Sequence, residues 1–132
     1  MREPVWLDLP SLHLLHDRQL ELFGGRRGFR DEAAVEAALS EPLTAWITGR
    51  ASDLETLAAT YLHAIVRGRG YRDANRRSGL AAMLVFLQLN GRPVRAPQAE
   101  LLALVTAAAD GEVDVDQVAT WLRGYDAPLA GG

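Results

Sequence analysis

Residues 67–78, Arg-Gly-Arg-Gly-Tyr-Arg-Asp-Ala-Asn-Arg-Arg-Ser, concentrate the chain's potential chemistry. A glycine-flexed loop here meets the start of a helix, where unpaired amides and the helix dipole favour an anion. Asp73 offers a hard oxygen suited to Mg²⁺, and Asn75 can orient a phosphate or assist at the metal. Arg76 and Arg77 add fork-shaped donors for phosphate oxygens. A nucleotide phosphate bridged to Asp73 through Mg²⁺ would use all of these groups, as phosphoryl transfer requires. A plainer reading stands beside this one, in which Asp73 merely caps the helix and the arginines form a solvated face.

Composition narrows the chemistry. The 132 residues include no cysteine and no lysine, so all 14 basic residues are arginine. Disulfides, thiol nucleophiles, Cys-rich zinc sites, Schiff bases and a Walker-type lysine are thereby excluded. Five arginines (Arg67, Arg69, Arg72, Arg76 and Arg77) fall within eleven residues, yet the net charge is −3. That balance argues against direct nucleic-acid binding. The length suits a single domain, 1–132. Neither a signal core nor a membrane-length apolar run is visible, and the expected location is the cytoplasm.

The elements that must position these groups read as helices. Alanine and leucine supply 21 residues each and β-branched content is low. Asp8 or Ser11 can cap a first helix reaching Phe23, with Leu12, Leu14, Leu15, Leu20 and Leu22 as its apolar side. Asp31 can cap a second over 32–39. Residues 40–50 read as a loop carrying Leu43, Trp46 and Ile47, a candidate surface for recognising a target protein. Ser52 and Glu55 have capping-box spacing before a third helix reaching Val66. Asp73 begins a fourth, whose nearly all-apolar stretch 80–89 marks it as the central element. A fifth spans 98–109, and a sixth runs from Asp114 to near Gly124, followed by a loose tail. With no repeat and no period-2 strand, the expected fold is a compact all-α bundle.

Residues 69–77 are similar to the signature H-x-F-x-D/E-A/G-N-K/R-R of the Fic/Doc superfamily, and the chain resembles its death-on-curing (Doc) branch in particular. The stretches LLHDRQLELFGGRRGFRDEAAVEAALSEP and DANRRSGLAAMLVFLQLNG carry the resemblance, which covers about residues 7–92. It implies a helical bundle around a buried helix and the toxin of a type II toxin–antitoxin module. The implied activity is protein kinase chemistry with ATP and Mg²⁺, placing phosphate on a threonine of elongation factor Tu and so blocking translation. The implied partners are that factor and an antitoxin whose disordered segment folds on binding.

Carried over residue by residue, the resemblance makes Asp73 the metal acid and Asn75 the motif asparagine. Arg76, where lysine is common, and Arg77 become phosphate contacts. Ala74 is the small residue that lets phosphate approach, and Tyr71 the loop anchor, its hydroxyl in need of a partner. One position departs from the pattern. Arg69 stands where the family has its catalytic histidine, and a guanidinium cannot accept the target's proton near neutrality. The following proline is replaced by Gly70, which is expected to loosen the loop. Three alternatives follow: an inactivating substitution, a naturally degenerate binding homologue, or a base from elsewhere, with His63 nearest in sequence. AMP transfer, as in the wider Fic group, is a rival activity. His63 reads as a packing residue. His13 and His16, three apart on one helix, would need a further ligand to hold zinc, and His16 with Asp17 reads as a structural pair.

Overall fold

The computed structural model describes residues 2–125, so the tail at 126–132 lies outside the described residues. Six helices follow one another: α1 (Leu9–Phe23), α2 (Glu32–Ile47), α3 (Leu54–Gly68), α4 (Asn75–Leu89), α5 (Gln98–Ala109) and α6 (Val115–Gly124). Among the described residues there is no β-strand, only an isolated antiparallel bridge between Phe29 and Tyr71. The all-α expectation is met. No helix among them is long and apolar enough to cross a membrane.

The centre of the bundle is α3 rather than the apolar run of α4. Eight residues of α3 are buried, among them Leu57, Ala58, Ala59, Tyr61 and Leu62, and it packs most extensively against α4, then α2 and α6. By contrast, α4 buries one face and leaves Leu89 half exposed. The two helices meet closely at Gly79, where a methyl group would come within 2.8 Å of Val66 Cγ2 and 3.3 Å of the Leu62 carbonyl. Small residues Ser78, Gly79 and Ala82 on that face admit the crossing, at the cost of helix propensity.

Local signals set most helix starts. Asp8 caps α1 by accepting from Ser11 N–H at 2.8 Å, and Asp31 caps α2 through Ala34 N–H. Asp114 and Gln117 form a reciprocal capping box on α6. The expected box on α3 does not form: Asp53 is its N-cap, and that carboxylate pairs instead with Arg123 at 2.8 Å. On α1, Leu12, His16 and Leu20 face inward while Leu14 and Leu22 face solvent.

The segment expected as a loop over 40–50 is mostly helix. Pro42 sits inside α2, buried and lacking a donor, and the helix continues to Ile47. Packing explains the continuation. Ala45 is buried and Trp46 is half-buried against the core, edge-on to Trp6. Only Ile47 of the three expected apolar residues is fully outward, at 71% exposure.

Candidate functional site

Between α3 and α4 the chain turns through residues 69–74, bracketed by two left-handed residues. Arg69 (φ 51°) ends α3 and donates its N–H to the Ile65 carbonyl; Ala74 (φ 66°) precedes α4. The turn is held from three directions. Gly70 accepts from the Arg30 and Asp31 N–H groups at 2.8 and 3.0 Å, and Arg72 N–H donates to Gly28 at 2.9 Å. Asn75 closes it from within, accepting from Tyr71 N–H at 3.0 Å and donating to the Tyr71 carbonyl at 2.9 Å. Asn75 is thus a staple for the loop, with both ends of its amide engaged.

Gly70 does not loosen this turn. A methyl group there would lie 2.5 Å from Val35 Cγ2, 2.8 Å from Val35 N and 2.9 Å from the Asp31 carbonyl. The glycine lets the loop sit directly on the first turn of α2.

Tyr71 anchors the loop from below. It is 2% exposed and stacks on the His16 ring at 3.6 Å and on Phe29 at 5.7 Å. Its hydroxyl finds the required partner in His13 Nδ1 at 2.8 Å. Burial, aided by the negative charge of Asp17, raises the phenol's pKa well above its usual value. His16 Nε2 donates to the Asp73 carbonyl at 2.9 Å. Burial lowers the His16 pKa, opposed by that hydrogen bond and by Asp17. His16 Nδ1 and Asp17 are 3.8 Å apart, too far for a hydrogen bond. The two α1 histidines therefore serve the loop, and no group of three potential metal ligands occurs among the described residues.

Above the loop lies a cleft of about 520 Å³, lined by the expected set Arg69, Asp73, Ala74, Asn75, Arg76 and Arg77. Arg30 and Arg72 add two more guanidinium groups, and Asp110 a second carboxylate. No side chain caps α4, so its first amides open toward this basic hollow. The structure thus brings together residues that were adjacent in sequence and adds Arg30 and Asp110 from distant elements. Arg30 lies in the Arg-Asp pair of the stretch that carries the resemblance, without an expected role at the site, and Asp110 was not singled out.

Each candidate has a distinct local role. Asp73 is not the helix cap. Its carboxylate, about a third exposed, accepts from the Arg26 backbone N–H at 2.6 Å, Arg26 Nε at 3.1 Å and Nη2 at 3.4 Å. Those hydrogen bonds hold its pKa below the ordinary carboxylate value. Arg76 is mostly exposed and stands 3.8 Å from Asp110. Arg77 donates to the Gln19 and Gly24 carbonyls and lies over the Phe23 ring at 5.1 Å, so it also ties α4 to the end of α1. His63 faces a separate cavity of about 310 Å³ near Glu41, Thr60 and Asp116, with a buried Nδ1 that has no protein partner.

A single carboxylate fits Mg²⁺ only where phosphate and water supply the remaining oxygens, which is the usual mode of that ion at nucleotide sites. The arginine-lined cleft beside an uncapped helix start fits polyphosphate.

Comparison with known proteins bears on these residues. The profile of the Fic/DOC family matches residues 6–87, a span that includes the whole loop and most of α4. The chain is 38% identical over 113 residues to the protein kinase doc of Escherichia phage P1, covering 86% of this chain and 89% of that protein. It is also 30% identical over 115 residues to the toxin Doc of Mycolicibacterium smegmatis, covering 83% and 87% respectively.

Proposed function

The chain belongs to the Fic/DOC family, in its Doc-toxin branch, and on that premise we propose that it is a nucleotide-binding toxin of the protein-kinase type. In this reading its cleft takes ATP with Mg²⁺. The acceptor is a threonine of elongation factor Tu, and the neutralising partner is an antitoxin segment that folds upon binding. The observation that carries the reading is the uncapped start of α4 opening into a cleft with five arginines.

The residues divide the work. Amides at the start of α4 and the Arg76 guanidinium would hold phosphate oxygens, and Asp73 would hold the cation. The cation would neutralise charge on the transferring phosphate. Asn75 and Tyr71 keep the loop in register. Arg77 combines a phosphate-facing position with its tie to α1.

The seat of the proton acceptor is taken by Arg69. Its side chain lines the same cleft, and a guanidinium can donate hydrogen bonds but accept none. No other histidine takes its place: His13 and His16 are engaged by Tyr71 and the Asp73 carbonyl, and His63 lines a different cavity. This chain therefore binds nucleotide but transfers phosphate feebly or not at all.

Equilibrium binding of ATP tests the phosphate-binding half. The Arg76→Ala variant should bind about tenfold more weakly, the size of one charge-assisted contact of about 1.5 kcal/mol. Absence of ATP binding, or an unchanged affinity in that variant, would overturn the reading.

A further inference from the structure

We propose that Arg26 is a positioning residue for the cation, holding the Asp73 carboxylate in the cation's place and swinging away when a divalent ion binds. The inference rests on the reading of Asp73 as the cation's ligand. Arg26 is 47 positions from Asp73 in sequence, yet it makes the densest set of contacts to that carboxylate. Its backbone N–H and Nε both donate to Oδ2, at 2.6 and 3.1 Å, and Nη2 donates to Oδ1 at 3.4 Å.

The loop that carries Arg26 is built to reach this spot. Gly24 and Gly25 precede it with φ of 79° and 128°. A methyl group on Gly25 would stand 2.9 Å from Leu20 Cδ2 and 3.2 Å from Asp73 Cβ. The backbone is therefore seated close against Asp73, in a conformation that favours glycine.

The two partners differ in freedom. The Arg26 side chain is 69% exposed and that of Asp73 31%. Among the described residues no other acceptor holds the Arg26 guanidinium, whereas Arg77 nearby is tied to two carbonyls and a ring. The guanidinium can leave for solvent, and the carboxylate stays. Its departure would free Oδ1 and one side of Oδ2, while the Arg26 backbone N–H goes on orienting the group. Among the described residues, the one other carboxylate lining the cleft, Asp110, also stands beside an arginine, Arg76, at 3.8 Å. Both acids of the site thus have arginine for a neighbour, and a divalent ion must compete for either.

An exposed ion pair is weakened by solvent and salt, so the barrier to the cation is modest and adjustable. Arg26 then sets the cation concentration at which Asp73 is occupied. A neutral residue at position 26 should lower that concentration about three- to tenfold at low salt, and the difference should shrink at high salt.

Mn²⁺ titration of the protein saturated with a non-hydrolysable ATP analogue, whose phosphates supply the remaining oxygens, followed by paramagnetic broadening of the amide signals of residues 24–26 and 73, reads this directly. Arg26→Leu should reach half-broadening at a three- to tenfold lower Mn²⁺ concentration than the unaltered chain, and Asp73→Asn in the same background should remove the gain. Equal midpoints with and without Arg26, both lost in Asp73→Asn, would overturn the role of Arg26 and leave Asp73 a cation ligand. Broadening that is absent in every variant, or indifferent to Asp73→Asn, would overturn both.

Discussion

Replacing Gly70 by alanine should destabilise the protein by about 2 kcal/mol, a large effect for one methyl group beside a solvent-open cleft. The added carbon would meet Val35 Cγ2 at 2.5 Å, Val35 N at 2.8 Å and the Asp31 carbonyl at 2.9 Å. Two of those three atoms are backbone in the first turn of α2 and cannot rotate away. Overpacking of this kind costs about 1–3 kcal/mol, and backbone opposition places it near 3. Alanine returns about 0.5–1 kcal/mol by restricting the unfolded chain, which leaves about 2. Gly68, on the other side of Arg69, is the control. A methyl group there would find only ordinary contact, 3.7 Å from the Ala34 carbonyl, so Gly68→Ala should be neutral or stabilising by about 0.5 kcal/mol. Urea unfolding and calorimetry on both variants measure the difference; at about 3–5 °C per kcal/mol, Gly70→Ala should lose roughly 6–10 °C. If the two variants unfold alike, the loop is not seated on α2 as described.

Two further outcomes follow from the anchoring of the same loop. Tyr71→Phe removes the hydroxyl bonded to His13 Nδ1 and should cost about 1 kcal/mol in urea unfolding; a loss under about 0.3 kcal/mol would show that water replaces that bond freely. Stability should also fall between pH 7.5 and 5.5, because burial lowers the pKa of both His16 and His63 in the folded chain. The unfolded state then binds protons first, so their contribution is complete above the ordinary value of 6.5 and is lost progressively as pH falls below it toward the lowered folded-state values. His16→Gln should flatten that dependence, and an unchanged slope would contradict it.

The sequence was legible where short-range chemistry decided the outcome. Asp8, Asp31 and Asp114 cap the helices they precede, because each carboxylate reaches an amide three residues on. It failed where a distant partner won. Asp73 looks like a cap, but Arg26 takes its carboxylate and Ala74 adopts the left-handed turn that starts α4 instead. Asp53 is drawn to Arg123 in the same way, leaving the Ser52–Glu55 spacing unused. Pro42 signals a break that tertiary packing of Ala45 and Trp46 overrides. The run 80–89 outranked α3 in hydrophobicity, yet the small alanines and buried Thr60 of α3 let it sit deeper. The candidate site divides likewise. Its contiguous half could be read directly, whereas Arg26, Arg30 and Asp110 arrive through the fold.

In the proposed function the phosphate-binding half of the site is intact and Arg69 alone withholds the proton acceptor. The Arg69→His variant is suited to test it, because histidine tolerates the left-handed conformation (φ 51°) at that position. The most direct measurement incubates both forms with elongation factor Tu, Mg²⁺ and ATP carrying label on either the α or the γ phosphate. Arg69→His should transfer γ label to a threonine at least about a hundredfold faster than the unaltered chain, as expected for a general base. Transfer of α label instead would identify AMP transfer. No transfer of either label by a folded, ATP-binding Arg69→His protein, or equal γ transfer without the histidine, would contradict the claim.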